Sequence, residues 1–175
     1  MPKLASHKEC TGCMACVDIC GSTALSGTIG ADGHLYPLLN KDLCINCGKC
    51  VKVCPVVAGL NYQVSESVKA YAAWATDIEV RKKSATAGVF AAMAQYVLSE
   101  GGIVGGAAII DGINIKHILI DNIRDLHLLQ GSKYTQSNTV GVYKDTYNQL
   151  RDGKLVLFSG TGCQVAGLYS YIGKR

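Results

Sequence analysis

The feature that most constrains this chain is a cysteine run that occurs twice. CTGCMACVDICG, Cys10 to Gly21, and CINCGKCVKVCP, Cys44 to Pro55, align without a gap at an offset of 34 residues. Eight of the nine cysteines lie in these runs, and Cys163 stands apart. The spacing C-x2-C-x2-C-x3-C is that of a bacterial iron–sulfur run, in which the fourth cysteine ligates the other cluster. Three thiolates in a tight loop take three corners of a cubane, while the fourth, on the helix that follows, points toward the neighbouring site. This assigns Cys10, Cys13, Cys16 and Cys54 to one [4Fe–4S] cluster, and Cys44, Cys47, Cys50 and Cys20 to the other. Structural zinc would use paired C-x2-C hooks far apart, not triples followed by a fourth thiol. Pro55 follows Cys54 whereas Gly21 follows Cys20. Proline ends a helix by lacking an N–H, and glycine turns the chain freely, so ligation survives the difference.

Residues 5 to 57 resemble the bacterial two-cluster ferredoxin module, which implies low-potential, one-electron transfer. Gly12, Ala15, Gly48 and Val51 are small enough for backbone N–H groups to approach the sulfurs and tune their potential. Between the runs, Asp32-Gly33 marks a turn and Leu35 to Leu39 a short extended run. The expectation is two half-modules, each a cysteine loop and a short helix, joined by small strands.

The chain has 175 residues, 49% apolar and 17% charged, which is globular composition. The net charge of +4 is mild, and Arg81-Lys82-Lys83 is the one basic run. That excludes the basic stripe with aromatics that a nucleic-acid binder needs. No signal peptide opens the chain, and Ile103 to Ile110 is far too short to span a bilayer. The expected location is the cytoplasm, where reduced thiols ligate metal rather than pair.

Composition shifts near residue 60. A ferredoxin-type domain is assigned to 1–60 and a second domain to 66–175, with the boundary at 60–66. In the second part the spacing predicts a strand over Val68 to Thr76. A helix N-capped by Ser84 follows, with Val89, Phe90, Met93, Val97 and Leu98 on one face. A strand over Ile103 to Ile110 and a turn at Asp111-Gly112 lead to a strand carrying Ile113, Ile115 and His117 on one side. A short helix at Arg124 to Leu129, a helix over Tyr143 to Arg151, a buried strand in KLVLFSG and a helix over Gln164 to Ile172 complete the pattern.

Three loops stand out: RKKSATAGVF (81–90), QGSKYTQS (130–137) and LFSGTGCQVAG (157–167). Helix N-termini with small residues bind anions through free N–H groups. Lys133 offers a point charge and Tyr134 a ring for stacking. Cys163, at a helix N-terminus, is a candidate redox thiol, a metal ligand or a small packing residue.

Ferredoxin module, R-x2-S-x-T-x-G-V-F, G-S-K-Y-x-Q-S and L-F-S-G-T-x-C-Q-V-A-G-L together resemble the deazaflavin-coenzyme (coenzyme F-420) hydrogenase/dehydrogenase beta-subunit family. The resemblance implies an α+β ferredoxin-like N-terminal module followed by a partial α/β flavin-binding domain. It implies an oxidoreductase subunit passing electrons between two [4Fe–4S] clusters and FAD, toward a deazaflavin-type or other small-molecule acceptor. A companion subunit or redox partner protein goes with it. The implied flavin contacts are Ser84, Thr86 and Gly88; Ser132, Lys133, Tyr134 and Ser137; and Ser159, Gly160, Thr161, Cys163 and Gln164. The chain departs from the family at Ala85 and Ala87, where serines and a second glycine are common, and at Gly162, where proline is common. The family's flavin domain is longer, so the resemblance implies a shortened member. The alternative is a ferredoxin-type electron carrier with an incomplete, non-catalytic flavin domain.

Overall fold

The computed structural model describes residues 1–59 and 69–173. The boundary expected at 60–66 and the start of the expected Val68 strand lie outside the described residues. In the N-terminal part, helix α1 (Ala15–Asp18) follows the first cysteine loop. Strands β1 (Leu25–Ile29) and β2 (Leu35–Leu39) form an antiparallel hairpin with Leu25 opposite Leu39. Helix α2 (Lys49–Val53) follows the second cysteine loop. This is the predicted pair of half-modules.

The two loops share a backbone. Gly12 and Met14 in the first copy have φ of 64° and 57°, and Asn46 and Gly48 in the second have 54° and 73°. Positive φ recurs at the same two repeat positions even where the residue is Met or Asn. A left-handed methionine costs about 1–2 kcal/mol, so the surrounding structure imposes it.

The second part begins with the segment 69–76, which is irregular where a strand was predicted. Among the described residues its apolar side chains find no sheet neighbour: Tyr71 and Trp74 are exposed and Ala75 is buried, its N–H bonding Ala87 O. Helix α3 (Ile78–Lys82) is capped by Asp77, whose carboxylate accepts from Glu79 and Val80 N–H. Ser84 is not the N-cap of the next helix. Its hydroxyl donates back to Val80 O, and helix α4 (Val89–Ser99) starts from Gly88 at φ 76°. Ala91, Ala94, Val97 and Leu98 form the buried face of α4, and Met93 faces solvent.

Strands β3 (Ile103–Ile110) and β4 (Asn114–Ile120) form the predicted hairpin around Asp111-Gly112, with Val104 opposite Ile120. Ile113 lies outside β4 and is exposed. Helix α5 (Leu126–Leu129) and helix α6 (Val142–Arg151) follow. Strand β5 is three half-buried residues, Val156–Phe158, shorter than predicted, and pairs parallel to β3 in the order β4-β3-β5. Helix α7 (Gly162–Ile172) is closed at its start by Thr161 and Gln164 acting reciprocally.

One core joins α4, β3, β4 and α5 through Ala94, Leu98, Val104, Ala108, Ile120 and Leu129. The other joins both parts of the chain. Cys13, Met14, Ala15, Val17 and Val53 pack with Val142, Tyr143 and Leu168. The cysteine module is therefore seated on α6 and α7.

Candidate functional site

The eight run cysteines ring two small cavities. Cys10, Cys13, Cys16 and Cys54 line one, with Leu4, Met14, Pro37 and Val56. Cys20, Cys44, Cys47 and Cys50 line the other, with Pro2, Leu25, Leu39 and Ile45. The grouping crosses the runs: each triple meets the last cysteine of the other copy. All nine thiols are free. No three His, Cys, Asp or Glu side chains among the described residues close on a point that would hold a single metal ion. The thiols instead surround a space.

The donor set suits a multi-iron cluster. Gly12 N–H is aimed at Cys10 Sγ and Ala15 N–H at Cys13 Sγ, the bonds that hold thiolate charge at a cluster. Burial pushes the Cys13 thiol up to about 11, and pushes Cys16 higher still, with the neighbouring thiols adding to it. Bare, these groups are protonated, and a cationic core supplies the charge that makes them thiolates. Cys20 is lower than an ordinary thiol. Its desolvation is outweighed by the Ser22 hydroxyl and by N–H groups of Leu25, Ala24 and Ser22.

A third cavity, about 810 Å³, lies between the cysteine module and the second part. Ser84, Thr86 and Gly88, then Ser132, Lys133, Tyr134 and Ser137, then Ser159, Gly160, Thr161, Cys163 and Gln164 all line it. The three loops picked out in sequence thus share one wall. Thr11 also lines it, and Thr11 belongs at the same time to the cavity of Cys10, Cys13, Cys16 and Cys54. Cys163 Sγ stands 3.9 Å from Thr11 O and 3.1 Å from Thr161 Oγ1, placing it where the two cavities meet.

Two helix N-termini open here. Thr161 and Gln164 close α7, while α4 has no side-chain cap and leaves its first N–H groups free. Lys133 is not a free charge: its ammonium donates to Leu128 O and Gln130 O, tying the loop to the end of α5. Tyr134 is 94% exposed at the rim.

Sequence reading named Ser137, Ser159, Thr161 and Gln164 only as flavin contacts and missed the bonds that hold these loops. Thr161 N–H donates to Gln164 Oε1, and Gln164 Nε2 donates to Ser137 Oγ at 2.9 Å. His117 Nδ1 lies 2.9 Å from Ser137 Oγ, and its Nε2 lies 3.0 Å from Ser159 O. A carbonyl only accepts, so Nε2 carries the proton, and in the neutral imidazole Nδ1 then accepts from Ser137. This circuit clamps the SGT turn to β4 and to the second loop. Gln136 ties the same loop to the cysteine module, accepting from Leu35 N at 2.7 Å and donating to Gly12 O at 3.3 Å. Thr139 Oγ1 donates to Cys13 O at 2.8 Å. Asp18 accepts from Gly141 N at 2.6 Å and Tyr143 N at 3.1 Å, filling the cap that Gly141 lacks on α6. Burial still lifts its carboxyl above the usual range.

Burial also pulls His117 below its ordinary value, against the Ser159 carbonyl, which raises it. The unfolded chain therefore binds a proton below about pH 6.5 that the folded chain does not. The stability this group contributes is present above that pH and is lost as pH falls toward the folded value. A thermal midpoint measured from pH 7.5 to 5.5 falls in the wild type, and His117→Phe removes part of that slope.

Residues 9–58 match the family model for a 4Fe-4S dicluster domain, and the overlapping residues 36–91 match a second model of that description. Residues 70–144 match the model for coenzyme F420 hydrogenase/dehydrogenase, beta subunit N-term. Over that stretch the chain is similar to this beta-subunit family. Among curated proteins no match is found. Together the matches support an iron–sulfur electron-transfer subunit of an F420 hydrogenase/dehydrogenase-like kind, with a two-cluster [4Fe–4S] domain. The beta-subunit match points to a companion subunit. No helix among the described residues is long and apolar enough to cross a membrane.

Proposed function

We propose that the chain exchanges electrons between two [4Fe–4S] clusters and an FAD held in the 810 Å³ cavity, toward a deazaflavin-type or other small-molecule acceptor. The eight cysteines ligate in the crossed sets that ring the two small cavities. One observation carries the reading: all three loops meet around one cavity, and Thr11, flanked by Cys10 and Cys13, forms part of its wall. The cavity lies within the size range of cofactor pockets.

The residues suit the parts of FAD. The uncapped N-terminus of α4 offers N–H groups and a positive dipole end to a pyrophosphate. Tyr134 offers a face for stacking. Bound FAD would supply the conversion between one-electron and two-electron transfer. Cys163 and Thr11 separate it from the nearer cluster. The buried circuit through His117, Ser137 and Gln164 fixes the loops, so the cavity keeps its shape. Apolar Met14, Leu4 and Val56 shield the nearer thiolates from water.

Anaerobically purified protein is expected to hold about eight irons per chain and to bind FAD stoichiometrically, with both chromophores in the visible spectrum. Full iron with no flavin binding would reduce the chain to a ferredoxin-type carrier.

A further inference from the structure

The two cysteine copies match in sequence and backbone, yet their surroundings differ. At the 34-residue offset, Ala15 and Asp18 correspond to Lys49 and Lys52, and Thr11 to Ile45. In the first copy, residues 12–17 are buried, and Asp18 is bonded to the start of α6. In the second copy Cys50 and Val53 are buried in the core shared with α6 and α7, and the loop before them faces solvent. Leu43 is 49% and Ile45 72% exposed, Cys47 is exposed, and the lysines stand free of the surface. Residues 41–52 carry three lysines, Lys41, Lys49 and Lys52, against the single acid Asp42.

We propose that the loop 41–52 is the docking face for a small acidic one-electron carrier protein, which exchanges electrons with the cluster on Cys20, Cys44, Cys47 and Cys50. The proposal rests on the cluster assignment made above and is independent of the flavin. The cluster on Cys10, Cys13, Cys16 and Cys54 adjoins the large cavity through Thr11, so the other cluster is left to the outside. Exposed Leu43 and Ile45 supply an apolar centre, and the lysines a positive rim, the anatomy of a transient interface. A positive rim steers an acidic partner and repels a basic one. Lys49 and Lys52 occur only in the copy that solvent reaches, where the first copy has Ala15 and the half-buried, bonded Asp18. In each encounter the reduced carrier loses one electron and the cluster gains one, with no bond or proton transferred; the reverse discharges the cluster.

The test uses the holoprotein and an acidic plant-type [2Fe–2S] ferredoxin as probe, with electron transfer followed by stopped flow against ionic strength. For K41E/K49E/K52E the second-order rate at low salt is expected to fall at least about tenfold and to lose its salt dependence, with iron content unchanged. The matched surface variant K82E/K116E/K154E is expected to keep the wild-type rate. Should the triple variant lose iron, K41E alone, three residues before the first cysteine of the loop, carries the same readout in the same direction. An unchanged rate with about eight irons present, or an equal fall in the matched variant, overturns the docking face alone. About four irons in the wild type, with no bleaching by the probe, overturns the cluster assignment beneath it as well. Flavin-free protein serves equally, so loss of the flavin reading leaves this result intact.

Discussion

Replacing Cys54 with serine is expected to remove the cluster on Cys10, Cys13 and Cys16 and to spare the one on Cys44, Cys47 and Cys50. Iron falls from about eight to about four per chain, because serine is a poor substitute for a thiolate in a cubane. Cys20→Ser gives the same count by removing the other cluster. The count alone does not tell crossed wiring from ligation within each run, but double variants do. In the crossed arrangement, Cys54→Ser combined with Cys13→Ser still leaves about four irons, since both cysteines serve one cluster. Cys54→Ser combined with Cys47→Ser leaves almost none. Wiring within runs reverses the two results. The single variants also differ in stability. Ligation is folding energy, and Cys13 and Cys16 sit in the core shared with Val142, Tyr143 and Leu168. Losing their cluster loosens the joint between the two parts, so Cys54→Ser lowers the thermal midpoint more than Cys20→Ser, in whose triple Cys50 alone is buried in that core.

The features legible in sequence are the ones set by local chemistry. A cysteine loop is closed within eleven residues, so its spacing fixes its shape. The β3–β4 hairpin was readable because Asp111-Gly112 turns the chain and apolar residues flank it. Where the next neighbour decides, sequence reading failed. Residues 69–76 look like a strand, but a strand needs a partner, and none among the described residues reaches Tyr71 or Trp74. Ser84 looks like an N-cap, yet its hydroxyl is satisfied by Val80 O, leaving the helix to start at Gly88. The residues that assemble the large cavity were invisible for the same reason. Asp18, Gln136 and Thr139 find partners more than 100 positions away, and His117 finds Ser137 and Ser159 at 20 and 42. Nothing in the local pattern distinguishes such groups from ordinary surface polar residues. The three loops themselves were found from small residues and resemblance, but their meeting at Thr11 depends on α6 and α7 accepting the cysteine module.

That meeting point makes Gly12 a sensitive position in the cysteine module. Gly12→Ala and Gly48→Ala form a matched pair, since both glycines flank a cysteine loop and both have positive φ, 64° and 73°. Each substitution carries the left-handed strain of about 1 kcal/mol. Only Gly12 is enclosed. An added methyl there meets Gln136 Nε2, Leu35 O at 2.6 Å and His34 Nε2 at 2.9 Å, whereas nothing lies within 4 Å at Gly48. Gln136 could swing aside, but Leu35 O is backbone of β2 and cannot, so overpacking adds about 1–3 kcal/mol. Moving Gln136 also breaks its bonds to Leu35 N and Gly12 O, which hold the GSKYTQS loop against the cysteine module. Gly12→Ala is therefore expected to lower the thermal midpoint well beyond Gly48→Ala, to release iron from the nearer cluster first, and to weaken flavin binding. Gly48→Ala shows only the strain, with both clusters kept. Equal midpoints for the two variants would mean that the joint between cysteine loop and cavity wall is loose, and that the loops do not depend on the module for their position.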